Sequence, residues 1–181
     1  MKTYIRYISQ LAKNLINKDF ANSDEEHAIE VLVRIFEQSK KNIRIFAQSL
    51  CSDVPNNPRY IVALSDFIER DGTVEIIVNK YNENMVSQSN LFKRLSFYLS
   101  QGKYIKVYRT DAVPYLSNDP DKKEIHFTIG DELSYRIETD IEKRTAVCNF
   151  NNPNRAKILV DFFNRIKKNA IEEDIQKVFS K

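Results

Sequence analysis

Apolar positions recur at helical spacing through the first two thirds of the chain, then switch to alternation near residue 125. Residues 3–17 carry Tyr4, Ile8, Leu11 and Leu15 on one stripe, ringed by Lys2, Arg6, Lys13 and Lys18, with no acid before Asp19. This predicts a basic amphipathic helix packed on its own domain or on a partner. Ser23 with Glu26 reads as a capping box that opens a helix through about Lys40, with Ala28, Leu32, Ile35 and Phe36 inward and His27 facing solvent. The β-rich run "NIRIFAQSL" follows. After the turn chemistry of "CSDVPNNP", Tyr60, Ile61, Leu64, Phe67 and Ile68 mark a helix that stops at Asp71-Gly72, before the apolar strand "TVEIIVNK". Residues 89–101 repeat the scheme, with Leu91, Leu95, Tyr98 and Leu99 on one face and Gly102 as the stop, leading into "YIKVYRT".

Three successive helix–strand units predict parallel pairing, because parallel strands need a crossover and right-handed helical crossovers supply it. Past a loop around Pro114 and Pro120, the stretches 125–129 and 133–137 alternate about Gly130-Asp131 and predict a hairpin, and "TAVCNF" makes another strand. Asn152-Pro153 then starts a helix with Ile158, Leu159, Phe162, Phe163 and Ile166 inward, and "IEEDIQKVFSK" closes with one more short helix. The expected organisation is an α/β domain over residues 23–181, preceded by the helical segment 1–22.

Composition narrows the function. With 42% hydrophobic and 29% charged residues, the 181-residue chain reads as a globular domain with one buried core. A net charge of +3 permits phosphate-rich partners but falls short of the footprint of a dedicated nucleic-acid binder. Cys51 and Cys148 are too far apart for a CxxC unit and, with two histidines, make no credible zinc site. They read as small hydrophobes in a reduced compartment, and neither a metal nor a cofactor is expected. No apolar run spans a membrane and the N-terminus lacks a signal-peptide pattern, so the expected location is the cytoplasm, without membrane insertion.

The order of elements, a histidine on the strand entering the hairpin, and the closing "TAVCNFNNPNRAKILVDFFNRI" together resemble one repeat of the phospholipase D superfamily, in particular its single-repeat nucleases. The resemblance covers roughly residues 24–168. It implies a three-layer sandwich: a mostly parallel mixed sheet flanked by helices on both faces, with a C-terminal β-hairpin, strand and helix. It also implies a homodimer, since single-repeat members pair across the edge that carries the histidines. The family motif is His-x-Lys, an acid a few residues on, and a Gly-Ser/Gly-x-Asn element on the partner strand. The histidine attacks phosphorus while lysine and Asn/Ser donors neutralise the transition state.

His126 matches the histidine. Thr128 stands where the lysine should be, on the same strand face, and Tyr135-Arg136-Ile137-Glu138 replaces Gly-Ser-x-Asn. Asp131 lies near the expected acid and equally suits a turn. His126 is the candidate nucleophile, or else a hydrogen-bonded structural residue. Thr128, Arg136 and Glu138 are candidates for binding a phosphate or another ligand, with Arg136 as the anion fork. The plainer alternative is an Arg136–Glu138 salt bridge capping a solvated hairpin edge.

Loss of one oxyanion donor costs about 10² to 10³ in rate, and here a lysine and the Ser/Asn donors are replaced together. The expectation is therefore a catalytically degenerate phospholipase D-like domain: a binding, regulatory or assembly subunit in a prokaryotic cytoplasm, with a protein, a nucleic acid or a phosphorylated ligand as partner. The alternative is a homodimeric, metal-independent phosphodiesterase or nuclease using His126 from two subunits. Tyr98, Tyr104 and Tyr108 near Lys103, Lys106 and Arg109 form a weaker candidate, a stacking surface for single strands.

Overall fold

The computed structural model describes residues 2–117 and 119–180. The outermost residues of the expected 1–22 and 23–181 segments, Met1 and Lys181, and Asn118 of the proline loop lie outside them.

The first helix, α1 (Lys2–Lys13), buries Ile8, Leu11 and Ala12 but ends before Leu15. Leu15 adopts φ +48° while the Ile16 N–H reaches back to the Leu11 carbonyl, a left-handed cap that turns the chain and leaves Leu15 exposed. That turn delivers β1 (Phe20–Asn22), a strand without a sequence signal, to the sheet. The next helix, α2 (Glu25–Gln38), is capped by Asp24 rather than Ser23, because the Asp24 carboxylate accepts from the His27 N–H at 2.8 Å. His27 does not face solvent: its ring lies 3.8 Å from that of Tyr4 and helps dock α1.

Strand β2 (Asn42–Ala47), the short α3 (Asp53–Asn56), α4 (Pro58–Glu69) and β3 (Thr73–Val78) follow the expected order. Asp71 takes the left-handed turn at φ +62°. Gly72 is needed for a different reason, since a Cβ there would fall 2.3 Å from the Phe67 ring. The third unit is split into α5 (Glu83–Gln88) and α6 (Asn90–Ser100) before β4 (Ile105–Arg109). Then come β5 (His126–Gly130), β6 (Ser134–Asp140), β7 (Thr145–Asn149), α7 (Pro153–Lys167), β8 (Ile171–Glu173) and α8 (Gln176–Phe179). The tail thus adds a strand as well as a helix.

These strands form one eight-stranded mixed sheet in the order β1-β7-β6-β5-β2-β3-β4-β8. Parallel pairing is confined to β2–β3 and β3–β4, and every other pairing is antiparallel. The parallel share is smaller than three helix–strand units imply, because the hairpin lays β5 antiparallel against β2 and both edges add antiparallel strands. Helices cover both faces. On one, Ile8, Leu32, Phe36, Leu64, Phe67 and Leu95 of α1, α2, α4 and α6 pack on Ile45, Ile76 and Val107. On the other, Leu159, Val160 and Phe163 of α7 pack on Phe127, Ile129, Tyr135 and Ile137. Ile158 is 66% exposed, so the inward stripe of α7 runs instead through Ala156, Leu159, Val160 and Phe163. No helix among the described residues is long and apolar enough to cross a membrane.

Candidate functional site

Alternation along β5 and β6 sends Phe127, Ile129, Tyr135 and Ile137 to the α7 face and His126, Thr128, Arg136 and Glu138 to the opposite one. The hairpin register sets His126 opposite Glu138 and Thr128 opposite Arg136. All four candidates therefore meet. Gly130 is not in the turn but ends β5, where Ser39 Oγ and Ser134 Oγ would lie 2.2 and 2.7 Å from any Cβ. The turn itself takes left-handed backbone at Asp131 (φ +51°) and Glu132 (φ +59°).

Asp131 stays outside the cluster. Its carboxylate accepts from the backbone N–H groups of Lys40, Lys41 and Asn42 at 2.5, 2.8 and 2.8 Å. It staples the hairpin to the α2–β2 connection, which is a structural task.

The cluster is a buried network rather than a solvated edge: Arg136 is 6% and Glu138 4% exposed. Glu138 Oε2 meets His126 Nδ1 at 3.1 Å, and its Oε1 accepts from Arg136 Nη2 at 3.1 Å. Arg136 Nε donates to Asn22 Oδ1 at 2.9 Å, across 114 residues of sequence. Arg144, from the β6–β7 turn, brings Nη1 within 3.8 Å of Glu138 Oε1. Burial by itself would raise the Glu138 carboxyl, but the hydrogen bond from His126 and the Arg136 guanidinium overcome it and hold the carboxyl below the usual carboxylate range. An ionised Glu138 can only accept, so Nδ1 of His126 carries a proton directed at it.

Nε2 of His126 is buried without a hydrogen-bond partner, 3.7 Å from Glu124 Oε1. Glu124 is fixed by Gln48 Nε2 at 2.8 Å and Asn79 Nδ2 at 2.7 Å, from the ends of β2 and β3. Burial opposes its charge, but these two amides and His126 prevail and keep it ionised below its ordinary range. Beneath the network lies Cys148, whose thiol is pushed up to about 12 by burial and is therefore unreactive.

A cavity of about 130 Å³ opens over the cluster at the C-terminal end of β2. Its wall is Leu32, Leu50, Val54 and Tyr60, and its polar side is His126, Thr128, Arg136, Glu138 and Arg144. Open α/β sheets usually bind ligands outside the carboxyl ends of their parallel strands, which is where this cavity stands. Asn22, Arg144, Gln48 and Asn79 carry no sequence signal. Glu124 does, since it lies two residues before His126 in the same alternation.

The three tyrosines do not form one stacking surface, because Tyr104 is exposed while Tyr98 is turned inward. Tyr98 is buried with its hydroxyl on Glu69 at 2.5 Å, and Lys103, Lys106 and Arg109 pair with Asp71, Glu172 and Glu173.

No family model and no curated protein matches the chain. Solved structures do. Nuc from Salmonella typhimurium, a phospholipase D family member, aligns at 15% identity over 87% of this chain and 99% of its own, with a TM-score of 0.60. NucT from Helicobacter pylori aligns at 12% identity over 87% of this chain and all of its own (100%), with a TM-score of 0.58. TrmBL2, an archaeal chromatin protein described with a novel mode of DNA binding, aligns at 14% identity over 94% of this chain, with a TM-score of 0.61. This chain spans 62% of TrmBL2's length. The chain has a phospholipase D-like fold.

Proposed function

We propose that this chain is a phospholipase D-like domain that has exchanged phosphoryl transfer for binding, as a binding, regulatory or assembly subunit. The observation that carries the reading is the charge around His126. Phosphoryl transfer needs cations and donors facing the transferred group, because its oxygens carry the charge of the transition state. Here the lysine position is Thr128, Arg136 is engaged by Glu138 and Asn22, and a carboxylate stands 3.7 Å from the nucleophilic nitrogen. That carboxylate repels the substrate the nitrogen would have to attack. TrmBL2, whose similarity covers nearly the whole of this chain, supports binding as a use for such a fold.

The test is turnover of a chromogenic phosphodiester and of single-stranded DNA by the full chain. The expected result is a background rate that is the same in wild type and His126→Ala. Hydrolysis that disappears in His126→Ala would overturn the reading.

One observation favours the enzymatic alternative: Nδ1 of His126 is held by a carboxylate at 3.1 Å, the arrangement that orients an imidazole nucleophile. On that reading two subunits bring their His126 side chains together across a two-fold axis. A solution dimer whose two imidazoles lie far apart would remove it.

A further inference from the structure

The cavity has a mixed lining. Leu32, Leu50, Val54 and the Tyr60 ring supply its apolar part, and Arg136, Arg144, Glu138 and Thr128, with Gln48, Ser49 and Ser52, its polar part. Its volume of about 130 Å³ is close to the roughly 150 Å³ of a protein cavity that accepts benzene. One small ring fits there.

The polar part has an uneven charge. Among the lining residues two guanidiniums face one carboxylate, and Glu25 outside the lining stands 3.8 Å from Arg144, so the excess is at most one positive charge. Arg136 commits Nε to Asn22 and Nη2 to Glu138. Arg144 commits little: it lies 3.8 Å from Glu138 and 3.8 Å from Glu25, both beyond the 2.7–2.9 Å or so of a charge-assisted hydrogen bond. Its backbone is nevertheless held in place, because Asn22 Nδ2 donates to the Arg144 carbonyl at 2.8 Å and the residue adopts φ +53°. A guanidinium on a fixed backbone, beside a cavity and without a hydrogen-bonded carboxylate, is a donor fork awaiting an acceptor.

We propose that this cavity binds a small single-ring monocarboxylate, with the carboxylate on Arg144 and the ring against Leu32, Leu50, Val54 and Tyr60. The inference rests on the binding-domain reading and gives that site its ligand class. A phosphate monoester carries about −1.5 to −2 charges at neutral pH, more than an excess of at most one positive charge can balance. It would also waste the apolar part. A neutral ring would leave the Arg144 fork without a charged acceptor. One negative charge on an apolar ring satisfies both parts.

The experiment is calorimetric titration of the full chain with benzoate, benzamide and inorganic phosphate, run beside the diester assay. Benzoate is expected to bind at least about tenfold more tightly than either of the others. Arg144→Gln, at a partly exposed turn position that leaves the core untouched, is expected to weaken benzoate about 10- to 100-fold, the range of a hydrogen bond to a charged group. Benzamide binding as well as benzoate, phosphate binding better, or Arg144→Gln leaving benzoate unchanged would each overturn the ligand class. If benzoate fails to bind and no His126-dependent hydrolysis appears, the ligand class falls while the binding-domain reading stands. If such hydrolysis appears, the reading itself falls and takes the ligand class with it.

Discussion

The two faces of the β5–β6 hairpin are built from alternate residues of one stretch, yet they are held together by different physics. On the α7 side, Phe127, Ile129, Tyr135 and Ile137 meet Leu159, Val160 and Phe163 in a continuous apolar layer, with Phe46 stacked on Phe127 at 5.6 Å. On the other side, equally buried positions carry Thr128, Arg136 and Glu138, with His126 at their edge. The apolar face gains stability from every methyl group removed from water, and no contact depends on a single partner. The polar face gains nothing until all its members are in place. Each buried ion costs several kcal/mol of lost hydration, and the attraction between them repays that only when the geometry is complete. A fold seeking stability alone would have used the first solution twice. A network of that kind beside a cavity accords with the binding role proposed above.

The largest effect is expected where the polar face is broken from one side. Glu138→Leu leaves Arg136 buried and unpaired, and should cost about 3–5 kcal/mol in denaturant unfolding. Arg136→Met combined with Glu138→Leu should recover most of the loss. A double variant no better than the single one would mean that the two faces do not differ as described. Acid gives a second measure. Glu138 is held below its unfolded pKa of about 4.3, so its contribution is complete above that pH and drains away as the pH falls through the lower folded value. Wild type should therefore lose stability in acid more steeply than Glu138→Leu.

The apolar face should respond by degrees. Ile129→Ala should cost about 2–5 kcal/mol and Ile129→Val about 0.5–1.5, in proportion to the volume removed. An all-or-none response to both would show that this face, too, acts as a network. Among the variants that remove a whole side chain, the smallest effect is expected at the hairpin's tip. Asp131→Ala frees three backbone N–H groups that are close enough to the surface for water to replace part of the loss, for a cost of about 1–3 kcal/mol in thermal unfolding. Loss of ligand binding at this distance from the cavity would mean that the staple also positions the site.

Much of this molecule is legible in the order of its residues, and the misses have physical causes. The three helix–strand units and the hairpin declare themselves because helical and alternating spacing are local properties, fixed by which side chains share a face. Leu15 and Ile158 were expected inward and lie exposed. Periodicity marks which residues share a stripe but not where a helix ends or how wide its neighbour is. Ser23 has the right spacing for a cap, yet Asp24 takes the position because its carboxylate meets the His27 N–H. Strand β1 is three residues long and exists only through pairing with β7, so no local signal announces it.

By itself, the sequence determined that this is an α/β chain, that a histidine enters a hairpin, and that Thr128, Arg136 and Glu138 share its face. Those facts follow from the two-residue repeat of an extended backbone and need no partner. Only the tertiary structure decided what that face means. It brought Asn22 and Arg144 to Arg136 and Glu138, set Glu124 beside the free nitrogen of His126, and enclosed the group beneath α2 and α4. Charges near one another in sequence are solvated until the fold removes the water, and Arg136 then finds Asn22 only because the sheet brings them together across 114 residues of sequence.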